Sequence, residues 1–145
     1  MKKLLIVILI WIGFGLHDTE AQVFETDYIQ ALDKSTKEQK PMLILFIDAD
    51  IEASQNRRLK DNFLNNPDLK SLSDDYVLLE INCDSGNNSS DVAMMYCNRL
   101  IRVYNEDRQF PAVIATDKHK EVKGGLQTDF SKTKMSTYFN FLQTQ

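Results

Sequence analysis

Two cysteines, Cys83 and Cys97, are the only thiols in the chain, and they admit three kinds of chemistry. As a pair of buried apolar side chains they would do none, and cysteine is among the most buried residue types. As a structural disulfide they would close the intervening loop and stabilise the fold by about 3 kcal/mol. As a catalytic pair they would have to supply a thiolate that attacks and a second thiol that resolves the mixed disulfide. Catalysis asks the most of the sequence, because neither cysteine falls at a predicted helix N-terminus with a base beside it. The bland reading and the disulfide both remain open at this stage.

Other reactive groups are few. The chain has 145 residues and two histidines, His17 and His119. His17 belongs to an N-terminal stretch that reads as a secretory signal peptide: Lys2 and Lys3, an apolar run from Leu4 to Leu16, and a polar close at Thr19-Glu20-Ala21. The apolar run is shorter than the ~20 residues of a membrane span. Cleavage after Ala21 is expected, with residues 22–145 as one domain that is exported, periplasmic or secreted, with no stable membrane span left. The mature chain then carries His119 alone, in the charged stretch "TDKHKEV". Zinc sites draw on several His or Cys ligands, and Ser or Cys nucleophiles usually need a His base. Neither is provided, and no metal or other cofactor is expected. Cleavage removes Lys2 and Lys3 together with Asp18 and Glu20, so the net charge stays at -4 and nucleic acid is excluded as a partner.

Carboxylates cluster in "LILFIDADIEASQNRRL", at Asp48, Asp50 and Glu52. They read either as a helix cap (Asp50) and a complement to the helix dipole (Glu52), or as an acidic docking patch or weak calcium site without a full ligand loop. The first reading is preferred. The run "DSGNNSSD" after Cys83 also lacks calcium-loop spacing and reads as a solvated connection, with glycosylation sequons relevant only in a eukaryotic secretory pathway.

Elements that would position these groups follow from periodicity. A helix is expected over Thr26 to Lys40, capped by Asp27 and stopped by Pro41, and "MLILFID" reads as a central strand buried on both faces. A polar helix from Ala53 to Leu64 and a shorter one after Asn66-Pro67 lead to the strand "YVLLEINC". A helix from Asp91 to Tyr104 would carry Ala93, Cys97, Leu100 and Tyr104 on one face. "PAVIATD" and "EVKGG" form a hairpin around the turn at Asp117 to Lys120, and a last helix buries Met135, Tyr138, Phe139 and Leu142. The order implies an α/β domain with a central mixed β-sheet flanked by helices.

That order, with "KEQKPMLILFIDAD", "NNPDLKSLSDDYVLLEINCD" and "QFPAVIATD", resembles the thioredoxin-like superfamily over essentially the whole mature chain. It is most similar to secreted thioredoxin-like proteins with Ala-Asp-Trp-Cys-x-x-Cys after the first strand. By that match Ile51 stands in place of the Trp, Glu52 and Gln55 in place of the two cysteines, and Phe46 in place of the family's buried acid. Phe110-Pro111 corresponds to the cis-proline dipeptide. The resemblance implies a thioredoxin-like fold and, with Glu52 and Gln55 where the thiols should be, a redox-inactive module rather than an enzyme. Such a module would bind an extended peptide or protein partner outside the cytoplasm through Ile51, Glu52, Gln55, Phe110 and Pro111, as an adaptor or chaperone-like protein. The alternative is a thiol–disulfide oxidoreductase using Cys83 and Cys97, or a partner's thiols.

Overall fold

Alternation along the first strand divides the core in two. In β1 (Met42–Ile47), Met42, Ile44 and Phe46 point to one side of the sheet, while Leu43 and Leu45 point to the other. Both sets are buried, which is why the sequence reads as an unbroken apolar run. The computed structural model describes residues 23–83 and 90–145. The expected signal peptide at 1–21 and the Ser/Asn-rich run at 84–89 lie outside them.

β1 pairs in parallel with β2 (Val77–Asn82) and antiparallel with β3 (Ala112–Thr116). β3 in turn pairs antiparallel with β4 (Val122–Gln127), so the mixed sheet runs β2-β1-β3-β4. Glu25 adds a single parallel bridge to Leu79 on the outer edge of β2, with Glu25 N–H to Leu78 O and Glu80 N–H to Glu25 O both at 2.9 Å. Helices cover both faces. On one lie α1 (Tyr28–Glu38) and α4 (Asp91–Tyr104), contributing Ala31, Cys97, Leu100 and Ile101 to a cluster with Ile44, Leu79 and Ile114. On the other lie α2 (Ala53–Leu59), α3 (Pro67–Leu72) and α5 (Lys132–Gln143). There Phe63 stacks on Phe139 and meets Phe130 edge-on, at centroid distances of 5.6 and 5.8 Å.

Local chemistry sets the element ends. Asp27 caps α1 by accepting from the N–H groups of Ile29 and Gln30, and Gln39 closes it in the left-handed region at φ 54°. Asn66 caps α3 by accepting from Asp68 N–H, with Pro67 opening the helix where its missing N–H costs nothing. The expected helix over 53–64 is α2 followed by a π-helical turn at Lys60–Leu64, which keeps both Leu59 and Phe63 in the core. In α4 the buried residues are Cys97, Leu100 and Ile101, whereas Ala93 is exposed, so the buried face is rotated slightly from the expected one. The hairpin turn is held by Asp117 Oδ1, which accepts from His119 N–H and Glu121 N–H at 2.7 and 3.0 Å. No helix among the described residues is long and apolar enough to cross a membrane.

Candidate functional site

Because β1 and β2 are parallel they end together, and because β3 is antiparallel to β1 it begins where they end. Three segments therefore meet along one edge of the sheet. Cys83 follows β2, the turn from Asp48 to Glu52 follows β1, and Phe110-Pro111 precedes β3. Cys83 donates its backbone N–H to the Ile47 carbonyl at 3.0 Å, which fixes it beside the corner. Ligand and reaction sites of open α/β sheets commonly lie at such carboxyl ends.

The corner itself has no thiol. Glu52 is the N-cap of α2 and its side chain makes no capping hydrogen bond; only its carbonyl is engaged, by Asn56 N–H at 2.9 Å. Asp50 lies in the preceding turn and does not cap the helix, contrary to the sequence expectation. Glu52 and Gln55 are exposed and Ile51 is half-buried, while Phe46 is fully buried on the other face of the sheet, in the apolar cluster under α1 and α4. Among the described strands the one carboxyl is Glu80 on β2, paired with Leu45, and its alternation with Leu79 and Ile81 puts it on the face opposite theirs. Burial pushes the Glu80 carboxyl above the ordinary glutamate range.

Phe110-Pro111 is a cis peptide bond, as read from the sequence. Phe110 is half-buried against the same apolar cluster that receives Cys83, and Pro111 is buried. The loop before it is clamped by Asn105, a residue the sequence reading missed. Asn105 is 1% exposed; its Nδ2 donates to Gln109 O at 2.8 Å and its Oδ1 accepts from Gln109 N–H at 2.9 Å. An asparagine directly after a helix, ahead of an X-Pro pair, was the available signal.

Cys83 and Cys97 are joined in a disulfide, with Cα atoms 5.8 Å apart. Cys97, on the inner face of α4, is 2% exposed, whereas Cys83 at the strand end is half-buried. The residues adjoining both cysteines, Asn82 and Tyr96, line a cavity of about 230 Å³ between the starts of α1 and α4. Tyr28 and Tyr96 meet there at 5.6 Å, and Ile29 and Val92 sit on its rim, 47% and 58% exposed. Sequence reasoning missed this rim, since single apolar residues at helix starts carry no motif. Among the described residues no group of His, Cys, Asp and Glu is arranged to hold a metal ion.

The class defined by this sheet and edge agrees with the comparisons. A family model described as thioredoxin-like matches residues 23–118, and the chain belongs to that family. No curated protein matches it. Among solved structures it is similar to a DsbH oxidoreductase, at 17% identity and a TM-score of 0.65 over 85% of each chain. It is also similar to a disulphide isomerase from Xylella fastidiosa Temecula1, at 15% identity and 0.55 over 83% of this chain and 98% of the other. The oxidised C-terminal domain of Neisseria meningitidis DsbD follows at 16% and 0.55, over 82% and 99%. At these identities the likeness is one of fold.

The expectation of a redox-inactive adaptor or chaperone-like module is corrected here. It rested on Glu52 and Gln55 occupying the corner, but the edge holds a disulfide all the same, between Cys83 just after β2 and Cys97 in α4. The physical reason is that strand pairing, which no local stretch of sequence displays, brings Cys83 beside the corner.

Proposed function

We propose that the protein is a thiol–disulfide oxidoreductase whose redox pair is Cys83 and Cys97. The observation that carries this reading is the bond between them at the edge shared by the corner and the cis Phe110-Pro111 peptide. In the oxidising direction a substrate thiolate attacks one sulfur of the bond, forming a mixed disulfide and releasing the other cysteine, which takes up a proton. A second substrate thiolate then attacks the mixed disulfide, so that the substrate dithiol is oxidised and the protein disulfide reduced to two thiols. Run backwards, the same steps reduce a substrate disulfide.

A polypeptide substrate would lie along the edge, with Ile51, Glu52, Gln55, Phe110 and Pro111 as its contacts and Phe110 as the apolar anchor. Export completes the proposal. Residues 1–21 serve as the signal peptide, and a compartment that maintains disulfides suits a protein holding one. The test is turnover by the native protein: reduction of an insulin-type disulfide by dithiothreitol, and oxidation of a reduced dithiol peptide. Acceleration of either, lost when both cysteines are serine, supports the reading; rates equal to the uncatalysed control in both directions sink it.

A further inference from the structure

We infer that the two sulfurs have fixed and different roles: Cys83 is the one attacked, and carries the mixed disulfide, while Cys97 is the one displaced and resolves it. This rests on the oxidoreductase reading above and specifies its chemistry. An incoming thiolate is charged and solvated, and it must approach the bond in line from outside. Cys97 offers no such approach. It lies in the interior of α4, 2% exposed, in a cluster with Ile81, Leu100 and Ile101. Cys83 is half-buried, one residue past the end of β2.

The displaced sulfur is also well held. α4 fixes Cys97 through its packed neighbours, and the Cys83 backbone is tied to Ile47 O, so the two Cα atoms stay about as close as the 5.8 Å of the bonded pair. When a thiolate RS⁻ bonds to the Cys83 sulfur, the Cys83–Cys97 bond breaks and its electron pair leaves on Cys97, which is then protonated. Cys97 can afterwards lose that proton and attack Cys83, expelling RS⁻ and restoring the disulfide. Resolution is thus intramolecular, and mixed disulfides with monothiols are short-lived unless quenched.

The experiment uses the native oxidised protein and cysteamine as the thiol. After brief reaction, acid quenching and alkylation of free thiols with N-ethylmaleimide, cleavage before Asp91 separates the two cysteines for mass spectrometry. The expected result is cysteamine on Cys83 and maleimide on Cys97, in excess over the reverse by at least about tenfold. In the reduced native protein Cys83 should be alkylated before Cys97. Equal adducts, or a majority on Cys97, overturn the assigned roles while leaving the oxidoreductase reading intact. Adducts that form only in denaturant overturn that reading, and the roles with it. Comparison of Cys97→Ser with Cys83→Ser adds a second arm: only the former should accumulate a stable mixed disulfide, and accumulation on the latter instead refutes the assignment.

Discussion

Cys83, one residue beyond the last paired residue of β2, donates its N–H to the carbonyl of Ile47, the last paired residue of β1, at 3.0 Å. Through that bond a cysteine far along the chain comes to lie beside the corner that opens α2. The family pattern puts its cysteines at the corner; here Glu52 and Gln55 stand there, and Cys83 follows the neighbouring strand. Its partner comes from α4, on the side of the sheet opposite α2 and α5. The substituted corner and the disulfide are therefore neighbours on one edge but face different layers.

Replacing both Cys83 and Cys97 by serine should reduce disulfide exchange to background and also lower stability. A cross-link 14 positions apart constrains the unfolded chain by about 3 kcal/mol. Urea denaturation should show that loss, and chemical reduction of the wild type should reproduce it. Exchange that survives in the double variant would mean that the substrate supplies all the thiols.

Gly124 and Gly125 separate steric from conformational cost. Both have positive φ, at 72° and 77°, but a Cβ on Gly124 would come within 2.6 Å of Phe141 Cε1, while one on Gly125 would meet nothing within 4 Å. Gly125→Ala should cost about 1–3 kcal/mol from backbone strain alone. Gly124→Ala should cost more, since the Phe141 ring must also move. Thermal melts of the two variants give the order directly.

Much of this was legible beforehand. The strand over 42–47, the hairpin around Asp117, the Asp27 cap and the buried face of α5 follow from periodicity and end chemistry that act within a few residues. The π-helical turn after Leu59 was not, because α and π turns share a composition and tertiary packing of Phe63 decides between them. The site divided the same way. Phe110-Pro111 could be found as a dipeptide, but the proximity of Cys83 to the corner is a property of strand order, which no local pattern encodes. Exposure alone separates the two sulfurs, and it depends on how α4 is rotated against the sheet.

Glu80 supplies a pH signature. Burial raises its folded-state pKa above the unfolded value, so between the two the folded protein binds more protons than the unfolded chain. Its contribution must therefore be favourable to folding at low pH and diminish as pH rises from the ordinary glutamate value of 4.5 through the folded pKa. Glu80→Gln should remove that decline, leaving stability at neutral pH equal to or above wild type. Urea midpoints measured at several pH values for both proteins test the sign; a variant that is less stable at neutral pH but matches wild type in acid would reverse it.

The last prediction separates the corner from the cis-peptide edge. Glu52 makes no capping hydrogen bond and Gln55 is exposed, so Glu52→Ala with Gln55→Ala should change stability by no more than about 1 kcal/mol, the scale of helix-end effects. Phe110 differs, because it packs half-buried on the cluster that also receives Cys83. Phe110→Ala removes part of that packing and, on the proposed function, the apolar surface for a polypeptide beside the disulfide. Binding energy concentrates in aromatic anchors more than in rim charges. With a disulfide-containing peptide as substrate, at matched folded fraction, Phe110→Ala should raise KM by about fivefold or more, which is about 1 kcal/mol, whereas the double variant stays close to wild type. A small dithiol that needs no docking should be turned over equally by all three proteins. If the corner variant loses the peptide and Phe110→Ala keeps it, the carboxylate edge is the docking surface and the assignment of Phe110 as anchor fails.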